Sequence, residues 1–290
     1  MNLRGTGVAL VTPFDKNKNI DFSSLAAVID HCIQGGVNYL VSLGTTGETV
    51  TLNAREKQEI LTFTQKHVAG RVPLVAGFGG NNTQLIVDNV NGFNLDGYQA
   101  LLSSSPNYNK PTQEGIYQHY KHIAANSPLP IIIYNVPSRT GQNIEAETTI
   151  RLANELENII AIKEAANDII QSMEIARNTP DSFQLISGDD VHALPMMSYG
   201  CQGVISVVAQ AIPKQFTKMV NAALNGDFQT ASKEQFEFLD LIHLIFEENN
   251  PAGIKAALQH LRLCEENLRL PLVPVSDDLR TRIQLYFKEN

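Results

Sequence analysis

The sequence predicts an α/β chain folded as a (β/α)8 TIM barrel with a C-terminal all-helical extension. Three observations carry this reading. Short apolar runs alternate with longer amphipathic stretches eight times, at a spacing of roughly 25 to 35 residues. Several of those runs lack polar alternation, as strands covered on both faces do. After about Leu224 the alternation stops and only helix-like stretches follow.

The eight expected strands are Gly7 to Val11, Tyr39 to Leu43, Val72 to Ala76, Gln99 to Leu102, Ile131 to Tyr134, Ile159 to Ile162, Phe183 to Ile186 and Gly203 to Val208. The expected helices between and after them are Ser23 to Ile33, Asn53 to His67, Asn82 to Phe93, Thr112 to Ala125, Glu145 to Leu156, Asp168 to Ala176, Asp190 to Ser198 and Pro213 to Leu224. Asn53 with Glu56 three residues on has the form of a capping box. Pro111 and Pro213 suit helix starts better than interiors. The last three helices are expected at Thr230 to Phe246, Pro251 to Leu263 and Asp277 to Phe287. The barrel catalytic domain is thus placed at residues 1–224 and the C-terminal helical domain at 225–290, with no Gly/Ser/Pro-rich linker between them. An open doubly wound sheet is the competing fold. It is disfavoured because no glycine-rich phosphate loop follows an early strand.

Composition narrows the function classes. The 290-residue chain is 43% hydrophobic and carries a formal charge of −8, with no basic run to grip nucleic acid or an anionic membrane. No stretch approaches the roughly 20 apolar residues a membrane span needs. The start Met1-Asn2-Leu3-Arg4-Gly5 lacks the pattern of an export signal. Cys32, Cys201 and Cys264 form neither a disulfide framework nor a metal pattern, which fits a reducing, cytoplasmic setting. No metal or other cofactor is expected. The seven histidines read as surface residues, and His119 and His122, three apart, lack a third ligand. Asp189-Asp190 reads as a helix cap rather than a magnesium site.

In such a barrel the chemistry stands where strands end. The polar strand ends are Gly44-Thr45-Thr46-Gly47-Glu48, Ser103 to Tyr108, Tyr134 to Thr140, Lys163-Glu164 and Gly188-Asp189-Asp190. Lys163 closes the apolar run Ile159-Ile160-Ala161-Ile162. Desolvation at such a place favours the neutral amine, which attacks a ketone to form an imine, an electron sink. A strand-end salt bridge, for instance with Glu164, explains the same lysine without catalysis. Tyr134 ends the neighbouring strand and suits a proton relay, or a hydroxyl tied to backbone. The Gly44 to Gly47 turn suits an anion cradle, or simply a tight turn. Arg139 suits a fork onto a carboxylate, or an ordinary surface position.

With these motifs in this order, joined by Gly203-Val204-Ile205-Ser206 and Asn250-Pro251, essentially the whole chain resembles the dihydrodipicolinate (4-hydroxy-tetrahydrodipicolinate) synthase family of the N-acetylneuraminate lyase superfamily. The resemblance implies a Schiff-base lyase of diaminopimelate and lysine biosynthesis. Lys163 condenses with pyruvate. Thr45 and Thr46 hold the pyruvate carboxylate, with the backbone at Ile205 and Gly188 nearby. Tyr134, Thr46 and Tyr108 form the proton relay, the last reaching into a partner subunit. Arg139 holds the carboxylate of L-aspartate 4-semialdehyde. A homodimer is then the least active unit, and a homotetramer built as a dimer of dimers is the expected form. Sister lyases acting on 2-keto sugar acids, such as N-acetylneuraminate or 2-keto-3-deoxygluconate, are the alternative. Arg139 in Ser138-Arg139-Thr140 favours the synthase. A barrel retained only as a scaffold is disfavoured by the intact residue set.

The resemblance also implies a regulatory difference. At the positions where lysine-inhibited members hold two histidines, a glutamate and an extra tyrosine, this chain has Ala54, Lys57, Leu85 and Asn107, while Asn81 is kept. Leu85 cannot accept from an ammonium group, and Lys57 opposes one. Weak or absent inhibition by L-lysine is the expectation.

Overall fold

The computed structural model describes residues 1–289. Strands β1 (Gly5–Ala9), β2 (Tyr39–Ser42), β3 (Leu74–Gly77), β4 (Tyr98–Ser104), β5 (Ile131–Asn135), β6 (Ile159–Glu164), β7 (Gln184–Ser187) and β8 (Gly203–Ser206) form a closed barrel in sequence order. Every pair is parallel, and β1 meets β8 through Gly5↔Gly203 to Val8↔Ser206. Helices α1 (Phe22–Gln34), α2 (Ala54–Val68), α3 (Thr83–Gly92), α4 (Gln113–Asn126), the single turn α5 (Pro137–Thr140), α6 (Ala146–Glu155), α7 (Ile169–Asn178), α8 (Ala193–Met197) and α9 (Pro213–Leu224) surround it. Three more follow: α10 (Phe228–Glu247), α11 (Ala252–His260) and α12 (Asp277–Glu289).

Alternation along the strands sorts side chains into two apolar clusters. Ala9, Val41, Leu102, Ile132, Tyr134, Ala161 and Ile205 fill the barrel interior. Ile131, Ile133, Ile162 and Leu185 face the helices. The outer cluster runs without a break into the extension, through Phe238, Leu241, Ile245, Ile254, Leu258, Leu279 and Ile283. Each such side chain stabilises the fold by about 1.5–3 kcal/mol when fully buried.

Local signals account for the ends of elements. The capping box at α2 is formed: Glu56 N donates to Asn53 Oδ1 at 3.0 Å, and Asn53 N donates to Glu56 Oε2 at 2.9 Å. β1 begins two residues earlier than expected because Gly5 pairs with Gly203. β3 starts only at Leu74, after Pro73, which has no N–H to give to a ladder. The helix expected from Asp190 to Ser198 shrinks to Ala193–Met197. The N–H groups of Val191 and His192 donate instead to Asp189 Oδ1, at 2.9 and 3.0 Å, in a turn ahead of it.

Candidate active site

β5 and β6 lie side by side with Tyr134 opposite Lys163 and Asn135 opposite Glu164. Because side chains alternate, the first pair points into the barrel and the second toward the helices. Lys163 is 5% exposed, and its Nζ lies 4.4 Å from the centre of the Tyr134 ring. Glu164 is not its ion partner. The Glu164 carboxylate accepts from Asn135 Nδ2 at 2.9 and 3.1 Å, from Ala166 N at 2.7 Å and from Gln171 Nε2 at 3.1 Å. Burial pushes this carboxyl above the usual range, and those donors oppose the shift. The outward pair thereby locks β5 to β6 directly behind the inward one.

Above Lys163 a cavity of about 170 Å³ opens at the carboxyl ends of the strands. Thr45, Thr46, Tyr134, Arg139, Lys163 and Gly188 all line it. Ile205 lies in the barrel interior two residues before Val207, which reaches the cavity. Thr45 to Gly47 form a single tight turn, held where Thr12 Oγ1 donates to the Gly47 carbonyl at 2.7 Å. Thr46 is buried, while Thr45 and Arg139 are exposed at the rim. Gly188 is required by the close approach of β6: a Cβ there would lie 2.7 Å from Ala165 Cβ, 3.0 Å from the Glu164 carbonyl and 3.1 Å from Lys163 Cγ.

Two expected site residues do not line the cavity: Ile205, buried below it, and Tyr108. The Tyr108 side chain is 88% exposed, on backbone with a positive φ of 66°. It follows Asn107, which lines a second groove of about 290 Å³ that shares Thr45, Tyr134 and Arg139 with the cavity.

Two sequence expectations need correction. Asp190 is not a helix cap. It is fully buried, and its Oδ2 accepts from Val207 N at 3.1 Å and Val208 N at 3.3 Å, fixing the chain as it leaves β8. Burial above all pushes its carboxyl up to about 6, with a smaller contribution from Asp189. His119 is not a surface residue either. It is buried on the inner side of α4 beside Tyr120, and its Nδ1 meets Thr83 Oγ1 at 2.8 Å. Burial pushes it down to about 4.

Sequence reasoning also missed residues that complete the wall. Phe246, in the last turn of α10, and Asn250, in the connection to α11, close one side of the cavity. Asn250 Nδ2 donates to Thr46 Oγ1 at 2.9 Å. The sequence marks the Asn250-Pro251 pair as a helix start and as one motif of the family resemblance, with no site role for Asn250. A contact spanning 204 positions leaves no periodic trace.

Residues 2–290 match the dihydrodipicolinate synthetase family. The chain belongs to that family. It is 48% identical to the 4-hydroxy-tetrahydrodipicolinate synthase of Parabacteroides distasonis, over 99% of this chain and 95% of the relative. The crystal structure of dihydrodipicolinate synthase from Aquifex aeolicus superposes with a TM-score of 0.96 at 38% identity, over 99% of this chain and 98% of the other. The chloride-inhibited dihydrodipicolinate synthase of Acinetobacter baumannii, solved with pyruvate, superposes with a TM-score of 0.96 at 36% identity, over 99% of each chain. Like other members of the dihydrodipicolinate synthetase family, the chain is an enzyme of the Schiff-base lyase type.

Proposed function

We propose that this chain is a 4-hydroxy-tetrahydrodipicolinate synthase. It joins pyruvate to L-aspartate 4-semialdehyde and forms (2S,4S)-4-hydroxy-2,3,4,5-tetrahydrodipicolinate on the route to diaminopimelate and lysine. The observation that carries the reading is the pairing of Lys163 with Tyr134 at the floor of a small cavity lined by Thr46 and rimmed by Thr45 and Arg139.

The Lys163 amine adds to the ketone of pyruvate, and loss of water leaves the imine. Tyr134 and Thr46 pass the protons this addition and dehydration require. The Thr45–Thr46 turn holds the pyruvate carboxylate. Loss of a methyl proton gives the enamine, which forms a carbon–carbon bond to the incoming aldehyde. Arg139 at the rim binds that substrate's carboxylate. The substrate's own amine then attacks the imine carbon, closing the ring and releasing Lys163.

The exposed Tyr108 is read as reaching the cavity of a second copy, which makes a homodimer the least active unit. Val50, 90% exposed at the same groove, supplies apolar surface for that contact. Ile170 and Met173 expose apolar side chains beside a groove between α6 and α7, which suits a second self-association and hence a tetramer. Among the described residues no helix is long and apolar enough to cross a membrane, and the three cysteines are buried and free. Both facts support a cytoplasmic setting. L-lysine feedback is weak or absent in this reading.

Borohydride reduction in the presence of pyruvate, followed by mass spectrometry, tests the reading. The expected adduct sits on the peptide containing Lys163. No adduct, or one elsewhere, overturns the mechanism. Turnover with sugar-acid substrates in place of the semialdehyde would overturn the assignment of the second substrate.

A further inference from the structure

Between α10 and α11 the chain crosses the barrel mouth as Asn249-Asn250. Asn250 is buried, and its amide donates to Thr46 Oγ1. Its own Oδ1 is buried with no hydrogen-bonding partner among the described residues. That acceptor is free to take a hydrogen bond from a bound molecule in the cavity. The same turn reaches the rim. Arg139 Nη2 donates to the Asn250 carbonyl at 3.3 Å and to Asn249 Oδ1 at 3.4 Å. Asn249 Oδ1 also accepts from Asn250 N at 2.8 Å, and Asn249 sits on left-handed backbone at φ 93°. Strained backbone of this kind persists where the surroundings fix it for a purpose.

We infer that the Asn249–Asn250 turn of the helical extension is a positioning element, which sets the direction of the Thr46 hydroxyl and the pose of Arg139. This rests on the synthase reading. A free hydroxyl can donate in any direction its rotation allows. Once Thr46 Oγ1 accepts from Asn250, its own proton must point away from that amide and is left for another acceptor in the cavity that both residues line. The polarity of residue 250 therefore fixes the sense of the relay. The Asn249 side chain and Asn250 carbonyl hold the guanidinium over the rim, so the same turn serves both substrates.

The test separates polarity from packing. N250D keeps the shape but turns the donor into an acceptor, which draws the Thr46 proton toward residue 250 and away from the relay. Exchange of the pyruvate methyl protons with D2O, followed by NMR, reads enamine formation without the second substrate. N250D is expected to slow this exchange at least about tenfold. In a T46V background it should add nothing, because it acts through that hydroxyl. N249G relieves the backbone and removes one Arg139 acceptor. It is expected to raise KM for the semialdehyde severalfold, more than it lowers kcat, with the effect vanishing beside R139A. If N250D fails to fold, N249G carries the test alone.

Exchange in N250D close to that of the unaltered enzyme, multiplication of its effect with T46V, or an unchanged KM in N249G would each overturn the inference. Borohydride trapping on the unaltered enzyme keeps the two readings apart. A missing Lys163 adduct sinks the synthase reading, whereas a normal adduct with indifferent variants sinks only the positioning role.

Discussion

Glu48 and Lys255 meet at 2.5 Å with neither side chain reached by solvent. Glu48 follows the Thr45–Gly47 turn on left-handed backbone, and its second oxygen accepts from Arg269 N at 3.0 Å. Lys255 also donates to the Asn267 carbonyl at 2.8 Å and stands 4.4 Å from the centre of the Phe14 ring. Burial pulls the Lys255 ammonium below its ordinary range, and the charge of Glu48 opposes that pull. The pair fastens the helical extension to the loop that carries Thr46.

Removing one partner of a sealed pair strands the other. Lys255→Met is expected to destabilise the fold by about 3–5 kcal/mol, because the Glu48 carboxylate is left buried and unpaired. The double variant Glu48→Gln, Lys255→Met should recover a large part of that loss. Urea unfolding of both variants beside the unaltered protein checks it. A double variant no more stable than Lys255→Met alone would rule the explanation out.

At the inward pair, Lys163→Ala is expected to abolish both turnover and borohydride trapping while leaving the thermal midpoint nearly unchanged. Tyr134→Phe should trap more slowly and turn over about 10²–10³-fold more slowly, the usual scale for one proton-transfer group. Quench-flow trapping and a coupled assay measure both. Full activity in Tyr134→Phe would remove the phenol from the relay.

Arg139 is expected to act on the second substrate alone. Arg139→Ala should raise KM for L-aspartate 4-semialdehyde about tenfold or more, in keeping with loss of a charge-assisted contact. Pyruvate proton exchange by the same variant should match the unaltered enzyme. A slower exchange would place Arg139 in the first half of the reaction.

Two buried groups pull the acid stability in opposite directions. Asp190 titrates at about 6 in the fold against an ordinary 3.8, so its contribution is present at low pH and is lost as pH rises through 6. His119 titrates at about 4 against an ordinary 6.5, so its contribution is present above 6.5 and is lost as pH falls through 4. Each is worth on the order of 3 kcal/mol across its window. Asp190→Asn should therefore steepen the loss of stability on acidification, and His119→Gln should flatten it. Urea midpoints measured from pH 7 down to 4 decide this, and curves parallel to the unaltered protein would contradict both assignments.

Titration of activity with L-lysine is expected to give a flat or shallow curve. Leu85 is more than half exposed and apolar where an ammonium would need an acceptor. Strong inhibition would show that the ligand is held by other groups.

The barrel was legible because strands covered on both faces write continuous apolar runs, and Tyr134 and Lys163 stand where two of those runs stop. His119 was legible too, had its spacing been followed: Ile116, Tyr120 and Ile123 share its buried face at helical intervals. Asp190 misled because two carboxylates ahead of a helix have the form of a cap, while its actual partners come from the end of a neighbouring strand. The Asn250–Thr46 contact and the Glu48–Lys255 pair were beyond reach. They join positions 204 and 207 apart, and no local pattern encodes who meets whom at that distance.

The span of the Asn250–Thr46 contact has a consequence for biosynthesis. A chain growing from its N-terminus holds Lys163 in hand long before residue 250 leaves the ribosome. Until then the hydroxyl beside that amine has no amide to orient it. In the proposed mechanism the unfinished polypeptide therefore lacks a complete relay, and competence to capture keto acids is expected only when the last helices settle.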